Sequence, residues 1–172
     1  MLRMTPFHVH APKGITNQPV QELDIVRYQG LWHEIAHLPM FYQRHCFSDI
    51  TASYSVREDG CAVVRNACLT REGHPICSEG VAKPVPGRPG ALKVRFAPDW
   101  LAWLPWIWAD YWVIDLDPAY QWAVVGGPTR KYLWVLSRSP MMRRDHFERL
   151  RQRAGQRGYP VQGLVVVGCL VP

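Results

Sequence analysis

Gly30-Leu31-Trp32-His33-Glu34-Ile35-Ala36 opens the first of a series of strand-length apolar runs. A Trp at the head of a strand needs a structure that closes over it, and the downstream sequence supplies one. Seven further apolar runs follow, each cut by a turn signal, and a single helix-like stretch arrives only near the end.

The first strand covers residues 30–38 and stops at Pro39. A loop through Met40, Phe41, Tyr42 and His45 leads to a second strand at 49–56. Arg57-Glu58-Asp59-Gly60 is a tight-turn signal, because Asp-Gly suits positive φ, so the third strand (61–70) returns antiparallel. Arg71-Glu72-Gly73 turns again into a fourth strand at 74–83. The segment Pro84-Val85-Pro86-Gly87-Arg88-Pro89-Gly90 reads as a loop, since Pro cannot donate to a ladder, and the fifth strand follows at 91–97. Strands at 110–117, 121–126 and 131–138 complete eight, separated by Pro118-Ala119-Tyr120 and Gly127-Pro128. Ser139 offers an N-cap with Pro140 at the first helical position, and Phe147, Leu150 and Ala154 form an apolar helical stripe. Gly155 and Gly158-Tyr159-Pro160 stop that helix, and residues 164–167 form a last short strand at the sheet edge.

This order predicts an all-β chain: an eight-stranded antiparallel up-and-down β-barrel with one C-terminal α-helix packed outside. Residues 1–22, with Pro6, Pro12, Gly14 and Pro19, read as an N-terminal arm, loose against a single domain at 23–172.

Composition bounds the function. Hydrophobic residues make up 48% of the chain, with eight Trp and seven Tyr, which excludes disorder and suits strands. The net charge of +6 comes mostly from one late segment, where Arg143, Arg144, Arg149, Arg151, Arg153 and Arg157 face only Asp145 and Glu148. That pattern is a solvated helix face, and no nucleic-acid motif accompanies it. The five cysteines, Cys46, Cys61, Cys68, Cys77 and Cys169, have no C-x-x-C or Cys/His metal spacing. No apolar window is long enough to be a bilayer helix, the richest (100–116) being broken by Pro105, Asp110 and Asp115.

A barrel of this size holds side chains or one small ligand, and the inward residues decide which. Alternation places Ile50, Ala52, Tyr54 and Val56 on one face of the second strand, and Leu92, Val94 and Phe96 opposite Lys93 and Arg95 on the fifth. Small inward residues, Ala36, Ala52, Gly80 and Ala82, leave room that a packed core would fill.

Three blocks in order resemble the lipocalins, most closely the bacterial branch related to apolipoprotein D and the outer-membrane lipoproteins. They are residues 23–36, ending Gly30-Leu31-Trp32-His33-Glu34-Ile35-Ala36; Asp110-Tyr111-Trp112-Val113-Ile114-Asp115-Leu116-Asp117; and Tyr132-Leu133-Trp134-Val135-Leu136-Ser137-Arg138. The resemblance assigns structural roles to Gly30, Trp32, Asp117 and Arg138, with Arg138 stacked on Trp32 across the closed end in a contact worth about 0.5–2 kcal/mol. The second block departs from the family's Thr-Asp-Tyr ending, so Asp117 alone carries over, as a turn residue.

Parity and resemblance together give the cavity candidates Glu34, Ala36, Tyr54, Val64, Asn66, Phe96, Tyr111, Val113, Tyr132 and Trp134. Strand direction puts the Trp-rich segment with Trp100, Trp103, Trp106 and Trp108 at the entrance, as a lid, a membrane-interface anchor or a dimer contact. The resemblance also implies a Cys46–Cys169 bridge. Cys68 and Cys77 have opposite parity and are not expected to pair. His33 and His37 fall on the outward parity of the first strand.

The leading expectation is a carrier or store for a fatty acid, lysophospholipid or similar amphiphile, monomeric or homodimeric, without cofactor or metal. The alternative is a lipid-modifying isomerase of the same fold using Glu34 or Tyr111. A third reading is peripheral membrane contact through the Trp loop and the Arg-rich helix. The resemblance implies a cell-envelope setting, whereas residues 1–22 show neither an export pattern nor a lipidation Cys, and the compartment is left open.

Overall fold

The computed structural model describes residues 14–40, 43–97, 101 and 104–172, with only the backbone of Trp106. Among these, eight strands close into an antiparallel barrel: β1 (Gly30–His37), β2 (Ser48–Val56), β3 (Ala62–Leu69), β4 (Pro75–Val85), β5 (Arg88–Arg95), β6 (Ala109–Leu116), β7 (Trp122–Gly126) and β8 (Trp134–Ser137). Each pairs with its neighbour in sequence, and β8 pairs back onto β1, so no edge among the eight is left open. A short helix α1 (Ile25–Tyr28) precedes β1, capped by the Asp24 carboxylate, which accepts from the Val26 and Arg27 amides.

Two expectations about element ends change. Residues 84–90 are not a loop: β4 runs to Val85 and β5 starts at Arg88, leaving a two-residue turn of Pro86 and Gly87. Pro pre-sets its own φ and Gly87 supplies a φ of 73°, so both signals serve one tight turn. Gly90 then lets the arm approach: a Cβ there would lie 2.6 Å from the Val20 carbonyl oxygen. The helix starts later than Ser139. Residues Met141–Arg143 form β9, which pairs in parallel with β11 (Cys169–Val171), and α2 spans Arg144–Gln156. Pairing with β11 uses the backbone groups of the segment that the Ser-Pro signal assigned to a first turn. The short strand β10 (Val165–Val166) pairs with β1, as expected for residues 164–167.

The core has two parts. One lies between the barrel's outer face and α2, where Phe147, Leu150 and Ala154 pack against Ala36, Trp112, Ile114 and Val135. The other fills the closed end, around Tyr28, Trp32, Leu92, Val113, Tyr120 and Leu136. Described residues 14–22 are tied down: Val20 donates its amide to Val113 O at 2.8 Å and accepts from Gly90 at 3.2 Å. The Arg157 guanidinium adds a bond to Thr16 O at 2.9 Å.

Candidate functional site

At the closed end the Arg138 guanidinium lies 3.8 Å from the Trp32 ring centroid. It also donates to the carbonyls of Leu31, Arg27 and Tyr120 at 2.9, 2.9 and 3.2 Å. The Trp32 indole donates to Tyr28 O at 2.9 Å. Asp117 holds the turn before β7, its carboxylate accepting the Gln121 amide. Gly30 has a φ of 93°, a conformation that a side chain resists.

Above this plug lies a cavity of about 620 Å³, open at the end carrying the β1–β2 and β5–β6 connections. Eight of the ten candidates line it: Glu34, Tyr54, Val64, Asn66, Phe96, Tyr111, Tyr132 and Trp134. Ala36 does not. A β-bulge at Ile35 breaks the alternation: Glu34 opposes Leu136, but Ala36 opposes Val135 and joins the core under α2. The slip also turns His37 inward, against its expected outward parity; it opposes Trp134 and is buried. Val113 does not line the cavity either and is packed in the closed-end core.

The cavity floor is polar. The Tyr111 hydroxyl lies 2.9 Å from that of Tyr28 and 2.8 Å from that of Tyr54. Burial pushes all three phenols to titrate well above their ordinary range. Beside them one Glu34 oxygen meets His37 Nδ1, and the other accepts from Gln43 Nε2 at 3.0 Å. The Trp134 indole donates to Gln43 Oε1 at 3.4 Å. Gln43 therefore brings the β1–β2 loop down into the barrel. Asp110 is engaged from outside by Lys93 at 2.7 Å. The remaining walls are mainly apolar, including Ile50, Ile76, Val94, Ile107, Val125 and Leu136.

Sequence reasoning missed Tyr28, His37, Gln43 and Leu136. Leu136 was available from parity with Trp134, and Tyr28 from its four-residue spacing to Trp32. His37 depends on the bulge and Gln43 on the loop path, which leave no local signal.

The disulfide also differs from the expected pairing. Cys46 bonds Cys68 across a separation of 22 residues, and both line the cavity. Cys169 is free and exposed on β11, held beside Pro140 rather than near the β1–β2 loop. The Cys46–Cys68 bond and the Phe47 amide bond to Leu69 O (2.8 Å) fasten that loop to the end of β3. Cys77 is free and exposed, consistent with its opposite parity to Cys68.

Of the entrance tryptophans, Trp100 and Trp103 lie outside the described residues, as does the side chain of Trp106. The Trp108 ring is contacted by Lys83 Nζ at 4.1 Å and the Arg95 guanidinium at 5.1 Å. Its neighbour Ile107 reaches the cavity, so this connection does border the mouth. On α2, Arg149 and Arg151 pair with Asp145 and Glu148, and Arg153 reaches Asp115 on β6 at 2.9 Å. No group of three or more metal-ligating side chains occurs among the described residues.

The site is a closed eight-stranded barrel, plugged by Trp32 and Arg138 at one end and hollow at the other, with room for a small ligand. The profile of the lipocalin-like domain matches residues 23–168, and the chain belongs to the lipocalin family, whose members bind small hydrophobic ligands. It is 35% identical over 147 residues to temperature-induced lipocalin-1 of Arabidopsis thaliana, covering 84% of this chain and 78% of that one. It is 35% identical over 159 residues to the outer membrane lipoprotein Blc of Escherichia coli (strain K12), covering 91% and 84%. Insecticyanin from the tobacco hornworm Manduca sexta superposes with a TM-score of 0.67 at 19% identity, over 90% of this chain and 86% of that one, which shows the shared fold.

Proposed function

We propose that this protein binds one hydrophobic or amphipathic lipid, of the class of a fatty acid or lysophospholipid, in the barrel cavity and stores or carries it without altering it. The observation that carries this reading is the 620 Å³ hollow with mainly apolar walls and one open end. Its volume falls in the range of small-molecule sites, and each methylene buried there contributes about 0.8 kcal/mol.

Catalysis has less support. Both Glu34 oxygens are engaged, by His37 and Gln43, and Tyr111 is held in a chain of phenols whose burial opposes ionisation. Native mass spectrometry of the purified protein should show one lipid per chain, chemically unchanged on re-extraction. Ala52→Trp, which fills the cavity from β2, should abolish that adduct and leave the fold intact. A ligand converted to product by the wild type but not by Glu34→Gln would replace the carrier reading with the enzymatic one.

A further inference from the structure

Three hydroxyls at the cavity floor share two hydrogen bonds, and counting their protons leaves one without a partner. Tyr28 is fully buried, does not line the cavity, and among the described residues its hydroxyl meets only that of Tyr111. Its proton must go to Tyr111, because a buried hydroxyl left without an acceptor is costly. The Tyr54 hydroxyl lies 2.8 Å from that of Tyr111, so one proton joins these two and the other is left over. Neither Tyr54 nor Tyr111 has a further acceptor among the described residues, and both line the cavity. The cluster of Tyr28, Tyr111 and Tyr54 therefore presents one O–H into the hollow, strengthened by the two bonds within the cluster.

The charges around that donor are already matched. No Lys, Arg or His is among the described lining residues. The two lining carboxylates are engaged elsewhere, Glu34 by His37 and Gln43 and Asp110 by Lys93. An anionic head group lowered to the floor meets no cation there, and a cationic one meets only carboxylates that already have partners. Asn66, one inward step along β3 from Val64, adds a neutral polar group. The rim has the opposite character, with Ile76, Phe96 and Tyr132 lining the cavity and yet partly exposed. A polar floor beneath an apolar rim fits an amphiphile lying head-down.

On this basis, and resting on the reading above only as far as a lipid bound in the barrel cavity, we infer that the barrel selects, ahead of a fatty acid or lysophospholipid, an uncharged amphiphile, an ester, ketone or alcohol, whose oxygen accepts the free O–H of Tyr54 or Tyr111 while its chain runs to the mouth. The shared-chain ligands methyl dodecanoate, dodecanol, dodecanoate, dodecyltrimethylammonium and dodecane separate the possibilities by competition against pyrene, read by fluorescence at about pH 8, where a carboxylic acid is ionised. The ester and the alcohol are expected to bind about tenfold or more tightly than dodecanoate and the ammonium compound, because a buried unpaired charge is penalised. Tyr54→Phe combined with Tyr111→Phe should bring the ester down to the level of dodecane. The ranking on the wild-type protein decides the matter should that variant not fold. If dodecanoate or the ammonium compound equals the ester, the ligand lies tail-down with its head in water and the inference fails, while the lipid-binding reading stands. If neither pyrene nor any dodecyl compound binds, the lipid-binding reading fails first and takes this inference with it.

Discussion

Arg138 stacks on Trp32 at 3.8 Å while its three guanidinium nitrogens donate to carbonyls of residues 31, 27 and 120. One side chain thus ties the end of β8 to α1, to β1 and to the turn before β7. Lysine cannot reproduce this, because an ammonium is a point charge without the planar fork. Arg138→Ala should lower unfolding free energy by roughly 2–4 kcal/mol, summing a cation–π contact and charge-assisted hydrogen bonds. Urea denaturation measures it, and a loss under about 0.5 kcal/mol would show the plug to be dispensable.

Gly30 sits beneath that guanidinium with a φ of 93°, and a Cβ there would lie 3.3 Å from Arg138 Nη1. Gly30→Ala is expected to cost about 1–2 kcal/mol from the left-handed backbone alone. Thermal melts should show it. Gly60→Ala has a similar φ but open space around it, so it should cost no more than Gly30→Ala.

The Cys46–Cys68 bond closes a loop that runs through β2 and most of β3, and chain-entropy reasoning gives it about 3 kcal/mol. Cys68→Ala should lose stability of that order, whereas Cys169→Ser should leave it unchanged. Peptide mapping without reductant settles the pairing: a fragment joining Cys46 to Cys169 would contradict the structure.

Burial raises Tyr28, Tyr54 and Tyr111 above their ordinary value of 10.0. A phenol whose folded value exceeds its unfolded one stabilises the fold below the unfolded value, and that contribution is lost as pH rises through the window above it. Stability should therefore fall steeply above about pH 10. Absorbance near the phenolate band should show at least three of the seven tyrosines un-ionised until the chain unfolds. Smooth titration of all seven in the folded state would refute the burial.

Much of this molecule was legible in the residues themselves. Turn signals such as Asp59-Gly60 and Gly127-Pro128 act over a few bonds, and alternation such as Leu92-Lys93-Val94-Arg95 needs only the pleat of a strand, so eight strands and their order followed from local chemistry. The signature pair Trp32 and Arg138 was readable too, since it belongs to blocks that recur in a known family. Eight cavity residues followed from counting by twos together with that resemblance.

Where the count failed, tertiary structure had intervened. The bulge at Ile35 inserts one residue into β1, which sends Ala36 under α2 and brings His37 round to Glu34. Nothing in the segment announces that slip, because its benefit arises from the distant partners Val135 and Trp134. The disulfide was decided in the same way: Cys46 meets Cys68 because the β1–β2 loop comes down beside the end of β3, a path set by contacts such as Phe47 to Leu69. Sequence determined the cup, since strands and turns are short-range events. The shape of its hollow, the polar floor and the loop fastened across it were decided only when segments far apart in the chain competed for the same space.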